Sequence, residues 1–100
     1  MKISIEWANS EKSIVIQTLY DGMTLDEFHE MVEIHHDMLG SVTHPVDVIL
    51  DISNIQERGS NRKELLTTMI NASRQAPINE RLVVIVGGSR FLRSLIYLTR

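Results

Sequence analysis

Residues 82–86 read Leu-Val-Val-Ile-Val, an unbroken β-branched and aliphatic run, and residues 46–52 read Val-Asp-Val-Ile-Leu-Asp-Ile. Runs of this kind suit an extended, buried backbone, and the first has the pattern of a central parallel strand covered on both faces. Parallel neighbours must be joined by a crossover, usually helical. The stretch between the two runs supplies one: Asn61 and Glu64 form a capping box, Leu65, Leu66, Met69, Ala72 and Ala76 line one side of a helix, and Pro77 stops it.

The upstream half follows the same logic. Ile3, Ile5 and Trp7 alternate with Lys2, Ser4 and Glu6, the period of a strand with one wet face. A second strand is expected over 13–19, and Asn9-Ser10-Glu11-Lys12 has the length and composition of a hairpin loop, so the chain opens with an antiparallel pair. Asp21-Gly22 breaks the second strand. Thr24 with Glu27 forms a T-x-x-E capping box that starts a helix running to about Leu39 and ended by Gly40. At 100° per residue, Leu25, Phe28, Val32 and Leu39 share a narrow face, with Met31 and Met38 at its margin. His44-Pro45 then forces an extended connection. After Gly87-Gly88, Ser89 can cap a third helix through Leu98. The order β-β-α-β-α-β-α predicts one α/β domain over residues 1–100. Its four-stranded sheet is mixed, parallel from the second strand onward, and packed by helices through right-handed crossovers.

Composition narrows the function classes. Apolar residues make up 43% of the chain and charged residues 23%, enough apolar mass for a folded core and unlike a disordered segment. With no cysteine, neither a disulfide framework nor a thiolate metal site can form, which fits a reducing, cytoplasmic setting. The first residues lack a signal-peptide core and no apolar stretch is long enough to span a bilayer, so neither export nor membrane insertion is expected. Residues 1–50 carry two basic and nine acidic side chains, residues 51–100 eight basic and four acidic. No basic stripe interleaved with aromatics occurs, which argues against a nucleic-acid partner.

The phrase Val48-Ile49-Leu50-Asp51-Ile52-Ser53, followed by a short loop and a helix, together with the element order, resembles the STAS domains of bacterial anti-sigma factor antagonists. Tyr20-Asp21-Gly22-Met23-Thr24 before the first helix and His44-Pro45-Val46 before the third strand are similar to phrases in stand-alone bacterial STAS-like proteins. The resemblance covers nearly the whole chain, though each motif alone is weak. It implies a regulatory, non-enzymatic protein-interaction module. In that family the loop leads into Asp-Ser-Ser-Gly, whose second serine is phosphorylated by a partner kinase. Here Gly59-Ser60-Asn61-Arg62 stands there: Ser60 matches the first serine and Asn61, which cannot accept phosphate, replaces the second. Ser60 reads more simply as a helix-capping residue. STAS-like domains also continue with another strand and a closing helix. The resemblance therefore implies that this chain stops short, at Tyr97-Leu98-Thr99-Arg100; if it is instead complete, Phe91, Leu92, Leu95 and Ile96 must cover the sheet alone. An exposed edge there would invite pairing with a second copy.

On the first helix Asp26, Glu30, Glu33 and Asp37 recur at i, i+4, i+7 and i+11, an acidic stripe opposite the apolar face with no Lys or Arg in the helix to offset it. The stripe, with the Gly59-Ser60-Asn61 helix start, is the expected surface for a basic protein partner. A solvated face that aids solubility is the simpler reading. His29, Glu33 and His36 have a spacing that could hold an ion, but Glu33 replaces the second histidine of the zincin motif, and no metal or other cofactor is expected. His35 lies closer to the apolar face and reads as a packed or boundary histidine. Gly87-Gly88-Ser89-Arg90, between a strand and a helix, could offer backbone amides to an anion, though it lacks the remaining residues of a P-loop or dinucleotide fingerprint and reads first as a tight turn. No catalytic nucleophile with an identifiable base is present. The alternative to an interaction module is a small-molecule or lipid carrier, since STAS-like folds resemble Sec14-type lipid-binding domains. That reading predicts a cavity lined by Phe28, Met31, Met69 and Phe91.

Overall fold

The computed structural model describes residues 3–54, 67, 71 and 75–87. In chain order its elements are β1 (Ile3–Trp7), β2 (Ile14–Tyr20), α1 (Leu25–Gly40), β3 (Val46–Asn54) and β4 (Glu80–Val86). Thr67 and Asn71, between β3 and β4, are helical. The rest of that expected helix and the helix expected after Ser89 lie outside the described residues. The strands form one sheet in the order β1-β2-β3-β4. β1 and β2 pair antiparallel, from Ile3 opposite Leu19 to Trp7 opposite Val15, while β2 with β3 and β3 with β4 are parallel.

Local chemistry sets each boundary. Asn9 organises the hairpin loop: its Oδ1 accepts from the Ser13 and Ile14 amides at 3.0 and 3.3 Å, and its Nδ2 donates to Ser13 Oγ at 2.7 Å. Lys12 takes the left-handed conformation the turn requires, with φ of 57°. At the start of α1 both halves of the capping box form, the Glu27 amide donating to Thr24 Oγ1 at 3.1 Å and the Thr24 amide to Glu27 Oε1 at 2.9 Å. The helix does not stop before Gly40. It includes that residue and ends on Ser41, whose backbone is right-handed and whose Oγ donates to the Met38 carbonyl at 2.6 Å. Asn79 completes the cap from the other side of the sheet connection, its Nδ2 donating to Leu39 O at 3.0 Å and to His44 O at 3.2 Å. A helix end leaves its last carbonyls without intrahelical partners, and a side chain forty positions away supplies one.

Two expectations need correction. The buried side of α1 consists of Phe28, Met31, His35 and Leu39, whereas Leu25 is 44% exposed and Val32 and Met38 are half-buried. The face is rotated toward Met31 because a histidine occupies its centre, and a histidine can do so only when both ring nitrogens find partners, as these do. The run at 82–86 is also not buried at every position. β4 lies at one end of the sheet among the described strands, and Leu82 and Val86 are 45% and 48% exposed while Val83 and Ile85 pack toward α1.

The core lies between α1 and the sheet. Phe28 and Met31 pack with Ile3, Leu19, Leu50, Ile52 and Ile85, and at the other end of the helix Leu39 packs with Val15 and Val46. On the opposite face Ile16, Ile49 and Val84 stand in one register row, each half-buried. Among the described residues no helix is long and apolar enough to cross a membrane.

Candidate functional site

With Phe28, Met31, His35 and Leu39 turned inward, helical geometry leaves Asp26, Glu30, Glu33 and Asp37 on the outer side of α1, and all four are exposed. None makes an ion pair with another described residue. The last turn contains no basic side chain, so Asp37 stands near the negative end of the helix dipole without compensation. His29 and His36 flank the stripe and are also exposed. Among the described residues no three His, Asp or Glu side chains converge closely enough to hold a metal ion, so His29, Glu33 and His36 are not gathered into one.

The carboxyl ends of β3 and β4 meet at a second place of interest. The Asp51 carboxylate accepts from the Ser53 hydroxyl at 2.6 Å and from the Ser53 amide at 3.0 Å. Those bonds hold it below the usual carboxylate range, the hydroxyl contributing most. Gly87 lies against the same serine. Its φ is +82°, and a Cβ on it would come within 2.6 Å of Ser53 Cα. The close approach of two backbones is therefore enough to require a glycine at position 87. Gly88, Ser89 and Arg90 lie outside the described residues, as do Gly59, Ser60 and Asn61, so the second half of the expected interaction surface and the expected anion turn are not part of the described geometry.

Near the opposite end of β3, Asp47 and Arg81 form a two-pronged pair, with Arg81 Nε to Oδ1 at 2.9 Å and Nη2 to Oδ2 at 2.6 Å. The Arg81 hydrogen bonds hold the Asp47 carboxyl below its ordinary value, and Asp47 in turn raises Arg81. Nothing in the pattern of single strands announced this pair, because it depends on how β3 and β4 align, with Val46 opposite Glu80. His44, expected to shape its loop, donates from Nε2 to the Lys12 carbonyl at 2.8 Å and ties the hairpin to the strand that follows α1.

The inner histidine is the other polar feature sequence reasoning placed only approximately. His35 is 5% exposed and is the one buried polar residue among those described. It is bonded to Gln17 on β2 and Glu80 on β4. A polar residue on the buried side of an otherwise apolar helix is a visible signal, but its two partners lie on different strands and could not be named from spacing.

In comparisons with known proteins, no family model, no curated protein and no solved structure matches the chain.

Proposed function

We propose that this chain is a STAS-like regulatory module that acts by binding, without catalysis, and that the outer face of α1 is the surface it offers to a basic protein partner. The reading rests on one observation above all: four exposed carboxylates on one helical face, none paired within the described residues, the last of them set against the helix dipole. Like charges at i, i+4 each destabilise a helix by about 0.2–0.5 kcal/mol, and an acidic group in the final turn adds a similar penalty. A face that merely needed to be wet could have mixed signs at no such expense. The mixed sheet, with one antiparallel pair and parallel strands after it, is compatible with the STAS-like resemblance and supports its use here.

Of the residues the carrier alternative places around a cavity, Phe28 and Met31 belong to the core cluster at 3% and 1% exposure, and Met69 and Phe91 lie outside the described residues. Native mass spectrometry of the protein isolated from its own host separates the two readings. The interaction module predicts a complex with a second polypeptide that dissociates as ionic strength rises. A lipid-sized adduct on the single chain would contradict it.

A further inference from the structure

His35 joins three elements that are distant in sequence. Its Nδ1 lies 3.0 Å from Gln17 Nε2 on β2, its Nε2 lies 2.7 Å from Glu80 Oε1 at the start of β4, and the His35 and Glu80 side chains retain only 6% and 7% exposure. The Gln17 nitrogen is an amide NH2, which donates and cannot accept. With the amide in this orientation Nδ1 accepts and carries no proton, which leaves the ring proton on Nε2, donated to the Glu80 carboxylate. The geometry holds a neutral imidazole in one tautomer.

Adding a proton to Nδ1 would set two donors against each other at 3.0 Å. Rotation of the Gln17 amide by half a turn removes the conflict, because its carbonyl oxygen then accepts from Nδ1–H while Nε2–H continues to donate to Glu80. The heavy-atom outline of the site is the same in both states. They differ in the charge of a buried ring and in the orientation of one amide. Among the described residues, the titratable and charged groups facing the ring are Glu80 from β4 and, on α1 itself, His36, whose ring centre is 6.2 Å away. β2 contributes neutral Gln17, and the neighbouring β1 and β3 positions on this face are apolar, Ile5, Trp7, Val46 and Val48. Arg81, next to Glu80 in sequence, is bonded to Asp47.

We propose that Gln17, His35 and Glu80 form a proton-operated clamp between α1 and β4. In the neutral state the Gln17 amide donates to the ring. In the protonated state it turns over and accepts, and the bond to the Glu80 carboxylate comes to join two opposite charges. The clamp stands independently of the acidic outer face.

Nitrogen-15 NMR of the full chain across a pH titration tests it, because imidazole nitrogen shifts identify the tautomer and the Gln17 side-chain NH2 reports its own orientation. The expected result is a Nε2–H tautomer for neutral His35, with the Gln17 NH2 resonances moving along the same titration curve as the ring. In Gln17→Glu, whose carboxylate can only accept while ionised, neutral His35 should no longer be held in the Nε2–H form. A neutral His35 protonated at Nδ1 overturns the clamp. So do Gln17 resonances that stay fixed while His35 titrates, or a ring that stays in one state until the protein unfolds. The wild-type titration decides the matter even where the variant fails to fold.

Discussion

Gly40 and Gly87 are the same residue type in opposite circumstances. Gly40 has helical backbone and nothing within 4 Å of where a Cβ would sit, so Gly40→Ala should stabilise the protein by about 0.5–1 kcal/mol in urea unfolding, and a loss of stability would contradict that placement. Gly87 combines a φ of +82° with the approach to Ser53, so Gly87→Ala should destabilise by more than about 1 kcal/mol. Because the approaching atoms include Ser53 N and Cα, Ser53→Gly in the same chain should not rescue it. Asp47 carries a pH signature. Its folded carboxyl is depressed, chiefly by the Arg81 hydrogen bond, so the pair's stabilisation is present above the unfolded carboxylate value and is lost as pH falls through the folded one. Asp47→Asn should therefore lower stability at neutral pH, by under about 1 kcal/mol for so exposed a pair, and leave a smaller difference from wild type in strong acid. A constant difference across the acid range would rule that out. Of these residues, sequence reasoning picked out Gly87 as a turn, placed the end of α1 at Gly40 without foreseeing that the glycine is its last helical residue, and had no access to the Asp47–Arg81 pair, which depends on strand register.

Among the elements, α1 shows where periodicity succeeds and where it misleads. Its start was legible because the capping box is a local, two-residue chemical device, and Thr24→Ala should remove about 1 kcal/mol of stability. Its buried face was displaced because apolar spacing alone assigns a histidine to the boundary, whereas Gln17 and Glu80 make His35 acceptable at the centre. The consequence is measurable: Met31→Ala should cost about 2–5 kcal/mol, and Leu25→Ala, at an exposed position, no more than about 0.5 kcal/mol. Equal effects would restore the apolar-spacing reading. The hairpin and the succession of strands along the chain, parallel from the second onward, were legible from alternation and turn residues. The exposure of Leu82 and Val86 was not, since a β-branched run looks alike in the middle of a sheet and at an edge.

For the whole molecule the governing feature is the division of charge, with nine of the thirteen acidic residues in the first fifty positions and four of them on the outer face of α1. The stripe itself was legible from spacing, since i, i+4, i+7, i+11 can only mean one helical face. That it is exposed, and unpaired among the described residues, required the fold. If the face is kept for binding, it should be a place where stability and interaction oppose each other. The measurement is a side-by-side comparison of the wild type with a variant carrying Asp26→Asn, Glu30→Gln, Glu33→Gln and Asp37→Asn, scored for urea stability and for capture of partner polypeptides from the host. The account predicts a variant at least as stable as the wild type that loses a salt-sensitive partner the wild type retains. Capture of the same partner by both proteins, or of none by either, would contradict it.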